Sequence, residues 1–124
     1  MLFRSLLLLG LCSLGAAPAA PKLLSQFGLY VPGTATVEPA NLSSAPQYPL
    51  WSDGADKARW AYLPPGQAID TTDGDAWPFP VGTRFWKQFS CKGKKVETRL
   101  LWRASPKGWV YATYAWNPEQ TTSA

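Results

Sequence analysis

The chain of 124 residues contains no histidine. That absence removes Ser-His-Asp and Cys-His nucleophilic catalysis, His-ligated zinc or copper, and the C-x-x-C-H attachment of a c-type haem. Cysteine is nearly as scarce, with Cys12 and Cys91 alone. After residue 20 no apolar run approaches the ~20 residues that a membrane-spanning helix needs. What remains is carboxylate, lysine or tyrosine chemistry, or binding without chemistry.

The front of the chain has the three-part order of a secretory signal: Arg4, an apolar run over residues 6–14, then small residues ending in Ala17-Pro18-Ala19. Cleavage is expected after Ala19, because a cut one residue later would put Pro21 directly after the scissile bond. The expected location is therefore periplasmic or extracellular, with no transmembrane segment left. Acylation of Cys12 is the lesser alternative, since Leu11 is large where a lipoprotein signal wants a small residue. Without the signal, 105 residues remain, the length of one small domain, and Cys91 is its lone thiol. No internal disulfide is then available, so stability must come from burial. Seven Trp, five Tyr and, besides Phe3 of the signal, four Phe supply the area, each worth about 1.5–3 kcal/mol when fully buried. Cys91 is expected as a small buried residue of that core.

Pro32, Pro39 and Pro46 prevent a long helix between the signal and residue 48. Residues 20–48 accordingly read as an extended Pro/Ala/Ser/Thr-rich segment and residues 49–124 as a β-rich domain. In residues 81–91 an alternation of period two puts Val81, Thr83, Phe85, Phe89 and Cys91 on one face and Arg84, Trp86, Gln88 and Ser90 on the other. Lys92-Gly93 reads as a turn, and a second alternation follows, with Val96, Thr98, Leu100 and Trp102 opposed to Lys95, Glu97, Arg99, Leu101 and Arg103. Ser105-Pro-Lys-Gly108 is the next turn, before a third strand over residues 109–116. If Lys92-Gly93 is the whole loop, Phe89 faces Val96, Phe85 faces Leu100 and Thr83 faces Trp102, so the apolar faces coincide. The expected fold is mainly β: a small antiparallel sheet or sandwich-like domain with a C-terminal three-strand meander and little helix.

Charge is divided along the chain. Residues 20–83 hold three basic and six acidic residues, whereas residues 84–107 hold eight basic residues against Glu97 alone. A basic half attracts polyanions, and outside the cytoplasm these are acidic glycans or envelope phosphates rather than nucleic acid. The bland alternative is a solvated sheet face paired with acids from the first half. The densest charged stretch, Pro49-Leu-Trp-Ser-Asp-Gly-Ala-Asp-Lys-Ala-Arg-Trp60, reads as a corner. Asp53 there fits a helix N-cap or an Asx-turn, Asp56 sits within reach of Lys57 and Arg59, and Trp51 and Trp60 pack on the meander. The same Asp53 and Asp56 are the candidate pair for a carboxylate hydrolase. Asp70-Thr-Thr-Asp-Gly-Asp75 lacks the spacing and the distal Glu of a calcium loop and reads as a solvated turn. Trp51, Trp60, Trp77, Trp86 and Trp109 are candidates for a sugar-stacking platform.

Several blocks follow one another in a recognisable order. They are Tyr48-Pro-Leu-Trp-Ser-Asp-Gly-Ala-Asp-Lys-Ala-Arg59, Leu63-Pro-Pro-Gly66, Phe79-Pro-Val-Gly-Thr83, Glu97-Thr-Arg-Leu-Leu101 and Tyr114-Ala-Trp-Asn-Pro-Glu-Gln-Thr121. Over residues 24–121 the chain resembles a family of uncharacterised exported bacterial proteins that often continue into a C-x-x-C-H haem site or lie beside periplasmic oxidoreductase domains. The resemblance implies a β-rich exported domain that accompanies c-type cytochrome modules. It also raises the possibility that this chain is the front of a longer protein. Without histidine or C-x-x-C no haem is carried over, and no cofactor or metal is expected. Trp51 stands where the family has Phe and Gly54 where it has an aromatic.

The expected function is thus a non-catalytic domain for binding or assembly, with a periplasmic haem or oxidoreductase protein as partner. A module binding acidic envelope glycans is the first alternative, and the hydrolase the second. The candidate binding residues are Asp53, Lys57, Arg59, Arg84, Trp86, Glu97 and Arg99, with no catalytic residue assigned. The site is expected where Asp53, Lys57 and Arg59 meet Glu97 and Arg99.

Overall fold

The computed structural model of the chain describes residues 17–121. The signal expectation, Cys12 included, falls on residues 1–19, of which 1–16 lie outside the described residues. Five strands follow a single 3-10 turn at Leu24–Gln26: β1 Leu42–Ser43, β2 Asp56–Tyr62, β3 Arg84–Cys91, β4 Lys94–Ser105 and β5 Gly108–Ala115. They form one open antiparallel sheet in sequence order, β1-β2-β3-β4-β5. The chain is therefore mainly β, and β3 to β5 are the expected meander. Among the described residues no helix is long and apolar enough to cross a membrane.

Lys92-Gly93 is the two-residue loop between β3 and β4, with φ of 50° and 76°. Positive φ at both central positions suits the right-handed twist of the flanking strands. The register beyond the loop differs from the one expected. Ser90 pairs with Lys95, but Phe89 pairs with Glu97, leaving Val96 as the extra residue of a β-bulge. Phe85 consequently faces Leu101 rather than Leu100, Phe89 faces Glu97 rather than Val96, and it is Arg84, not Thr83, that faces Trp102. One inserted residue exchanges the faces of one strand relative to the other. Thr98, Leu100 and Trp102 point inward as expected, and Arg84, Trp86 and Gln88 join them in place of Phe85, Phe89 and Cys91.

The core lies between this inner face and the segment that precedes the sheet. Leu24, Leu29, Trp86, Leu100 and Tyr114 are buried, with Phe27, Tyr30, Val37, Trp60, Tyr62, Trp102 and Trp116 packed around them. Residues 20–41, ahead of β1, thus supply one of the two layers. Their backbone is anchored by side chains: Asn41 Nδ2 donates to the carbonyls of Gly28 and Leu29 at 2.9 and 3.1 Å. The Tyr114 hydroxyl donates to the Pro21 carbonyl at 2.8 Å. A polar chain also crosses the core. Trp116 Nε1 donates to Thr98 Oγ1, and Thr98 Oγ1 and the Tyr30 hydroxyl both donate to Gln88 Oε1. Buried polar groups satisfied in this way fix side-chain positions that apolar packing alone would leave degenerate.

Two expectations about the core are corrected. Cys91 is exposed, because it alternates with the inward Trp86 and Gln88 and so lies on the outer face of β3, away from the covering layer. Trp51 does not pack on the meander and is 83% exposed.

Candidate functional site

The face of the sheet opposite the core carries the side chains that alternate with the buried set. Reading across β2, β3, β4 and β5, the register places Arg59, Lys87, Arg99 and Thr113 in one row. Lys57 lies one row away, paired with Phe89, which in turn pairs with Glu97. Like charges directly opposite one another destabilise a sheet, so three adjacent cations are costly to the fold. The charges are felt at Lys87, whose ammonium is held below the ordinary lysine range first by loss of hydration and then by Arg59, Lys57 and Arg99.

Aromatic rings partly offset that repulsion. Phe89 lies beneath both Lys87 and Arg99, whose cationic centres are 4.9 and 4.8 Å from its ring centroid. Farther along the same face Phe85, Trp109 and Phe79 form a cluster, with Phe79 edge-on to Phe85 at 5.1 Å and Phe85 stacked on Trp109 at 6.1 Å. Arg103 lies over Trp109 and donates to the Pro106 carbonyl at 2.7 Å. Tyr111 and Leu101 are exposed beside them, and a shallow hollow is lined by Glu97, Arg99, Leu101, Tyr111 and Thr113. Among the described residues the ion pair on this face is Arg99 Nε to Glu97 Oε1 at 2.6 Å. One carboxylate therefore faces a field of five cations.

The seven residues proposed from sequence do not form one cluster. Lys57, Arg59, Glu97 and Arg99 share the outer face, but β3 separates the first two from the last two by two strand spacings, about 10 Å. The groups that bridge them, Lys87 and Phe89, were absent from the candidates. Arg84 and Trp86 lie on the opposite face. Trp86 is 1% exposed, and Arg84 ties the layers together, donating to the Phe27 carbonyl at 3.0 Å and lying over the Phe27 and Tyr62 rings. Burial pushes its guanidinium below the usual range. Asp53 is exposed and occupies a left-handed turn position, φ 48°, followed by strand rather than helix. The turn is closed by the Ala55 amide donating to the Ser52 carbonyl and by the Ser52 hydroxyl donating to the Ala55 carbonyl. Backbone geometry, not an Asp53 cap, therefore makes the corner. Lys57 Nζ donates to the Leu50 carbonyl instead of pairing with Asp53 or Asp56.

The other candidate sites resolve in the same way. Trp60 and Trp86 belong to the inner layer, Trp109 to the outer cluster, and Trp51 and Trp77 to exposed loops. The five Trp therefore do not share one platform. Asp70 accepts from the Thr72 amide and hydroxyl, and Asp73 from the Asp75 amide. Their carboxylates are turned onto their own loop. Asp53 and Asp56 are exposed and do not line the hollow on the outer face.

Compared with known proteins, the chain matches no family model, no curated protein and no solved structure.

Proposed function

We propose that the protein is an exported, non-catalytic module whose outer sheet face docks an acidic partner protein, of the kind represented by periplasmic haem and oxidoreductase proteins. The observation that carries this reading is the row Arg59–Lys87–Arg99. It is maintained at a cost to sheet stability, and among the described residues its ion-pair partner is Glu97. Aromatic groups interleaved with cations, here Phe89, Trp109 and Tyr111, are the composition that anchors protein interfaces. The charges steer encounter and set register, while the rings supply desolvated contact. The block resemblance to proteins that accompany haem modules supports export and the class of partner.

A module for acidic glycans is the second reading, favoured by the same mixture of cations and exposed rings. The two separate by titration. Tryptophan fluorescence followed with oligogalacturonate reports on glycan, and retention of acidic periplasmic proteins on the immobilised chain reports on protein. The protein reading predicts salt-sensitive retention that Arg59→Glu/Lys87→Glu/Arg99→Glu abolishes, with no saturable glycan response. A saturable glycan response without protein retention would replace it with the second reading.

A further inference from the structure

A cleft of about 380 Å³ opens on the other side of the molecule, between the covering layer and the start of β4. Its volume falls within the ~300–1,000 Å³ of small-molecule sites. Tyr30, Trp116, Leu23, Leu24 and Pro32 are among its lining residues, and of the described residues Lys95 is the one charged group that lines it. The two rings meet edge to face at 6.1 Å. Their polar tips are engaged away from the cleft: the indole N–H donates to Thr98 Oγ1 at 2.9 Å, and the phenol donates to Gln88 Oε1 at 2.5 Å. Locked rings of this kind form a preorganised stacking surface.

Lys95 is placed there by two devices. The first is the bulge at Val96, without which Lys95 would share the outer face of Glu97 and Arg99. Bulges re-aim side chains at functional sites. Here the side chain swings inward, its Nζ 4.2 Å from the Trp116 ring centroid and 5.3 Å from that of Tyr30. The second device is a clamp. The Gln120 amide accepts from the Lys95 N–H at 2.6 Å and donates to the Lys95 carbonyl at 2.9 Å. Gln120 itself has φ of 60°, a left-handed conformation that a non-glycine residue adopts only when its surroundings impose it. Among the described residues no carboxylate pairs with Lys95. Cation–π attraction explains why an ammonium would rest on these rings. It does not explain why a bulge, a bidentate clamp and a cleft free of acids surround it.

We infer that this cleft binds a small organic carboxylate carried on a flat apolar ring, its carboxylate on Lys95 Nζ and its ring against Trp116 and Tyr30. The docking face described above is on the opposite side of the sheet, so either site can fail without the other.

Amide-resolved NMR titration of the full chain with 2-naphthoate, and with the neutral 2-naphthamide as comparison, tests the inference. The expected result is saturable one-site binding with shifts confined to residues 30–35, Lys95, the Trp116 indole and Gln120. The amide should bind at least about tenfold more weakly, the equivalent of one ion pair of ~1.4 kcal/mol. Lys95→Met keeps an apolar stem over the rings and should bring 2-naphthoate down to the affinity of 2-naphthamide without altering the latter, whereas Lys95→Arg should retain the preference. Equal affinity for the two compounds, indifference to Lys95→Met, shifts centred on Lys87 and Arg99, or no saturation would each overturn it.

Discussion

Replacing Leu29 by Ala tests whether residues 20–41 are one layer of the fold or an appended strap. Leu29 is 0% exposed and touches the core formed with Leu24, Trp86, Leu100 and Tyr114. Its neighbours are fixed from both sides: Asn41 holds the Leu29 carbonyl, and the Glu38 amide donates to the same carbonyl. The site therefore has little freedom to collapse onto a truncated side chain. Losing the transfer energy and leaving a cavity that cannot close costs about 3–5 kcal/mol, toward the upper part of the range for Leu to Ala. Against a total of roughly 5–15 kcal/mol for a domain of this size, that is a large fraction. At about 4–8 °C per kcal/mol the melting temperature should fall by more than 10 °C. Urea unfolding should show a lower midpoint with an unchanged slope. Leu42→Ala, at a side chain 62% exposed, is the control and should change stability by less than about 0.5 kcal/mol. A loss below about 1 kcal/mol for Leu29→Ala would refute the two-layer core.

Other perturbations read out separate parts of the structure. Burial raises the Tyr30 phenol to about 12 from 10.0 despite its bond to Gln88. The folded state thus holds that proton more tightly, and the associated stability should be complete below pH 10 and lost as pH rises toward 12. Burial raises the Tyr114 phenol as well, so ultraviolet titration should show late phenols of which Tyr30→Phe removes the one near 12, and persistence of that phase in the variant would reject the assignment. Gly82 has φ of 96°, and a Cβ there would lie 2.9 Å from Pro64 Cγ. Gly82→Ala should therefore destabilise by about 1–3 kcal/mol in urea unfolding, whereas a neutral result would mean that the Pro64 loop does not abut β3. Exposed Cys91 should react with Ellman's reagent in the native protein as fast as in the unfolded one; protection until unfolding would place the thiol inside. Glu97→Gln removes the carboxylate that pairs with Arg99 on the basic face, and should leave stability within about 1 kcal/mol while tightening binding of an acidic partner. Weaker binding would show that Glu97 contributes a contact rather than a counter-charge.

The strands and the loops between β3, β4 and β5 were legible because period-two alternation and the Lys92-Gly93 and Pro106-Lys107 turns are local signals. Register was not, because β3 is ambiguous by composition. Phe85 and Phe89 mark one face as apolar, Trp86 marks the other, and both readings bury aromatic surface. The choice is made by the bulge at Val96 and by the partners it creates, Gln88 with Thr98 and Tyr30. No residue within the strand announces those contacts. The same slip explains why Arg84 and Trp86 looked like outer-face candidates and Lys87 and Phe89 did not. Lys57, Arg59, Glu97 and Arg99 were found because their own alternation is unaffected by the slip. The layer made by residues 20–41 was hidden by its prolines, which exclude helix but do not reveal that Leu24 and Leu29 are driven inward by a sheet far along the chain.

The most direct test of the docking face compares the immobilised wild-type chain with Arg59→Glu/Lys87→Glu/Arg99→Glu in capturing proteins from a periplasmic extract at low salt. The haem content of the eluate is read by its pyridine haemochrome spectrum. The wild type should retain acidic haem or oxidoreductase proteins, these should elute as salt approaches about 0.2 M, where exposed charges are screened beyond ~8 Å, and the variant should retain none. Retention of the same proteins by the variant, or no retention by the wild type, would contradict docking through this face.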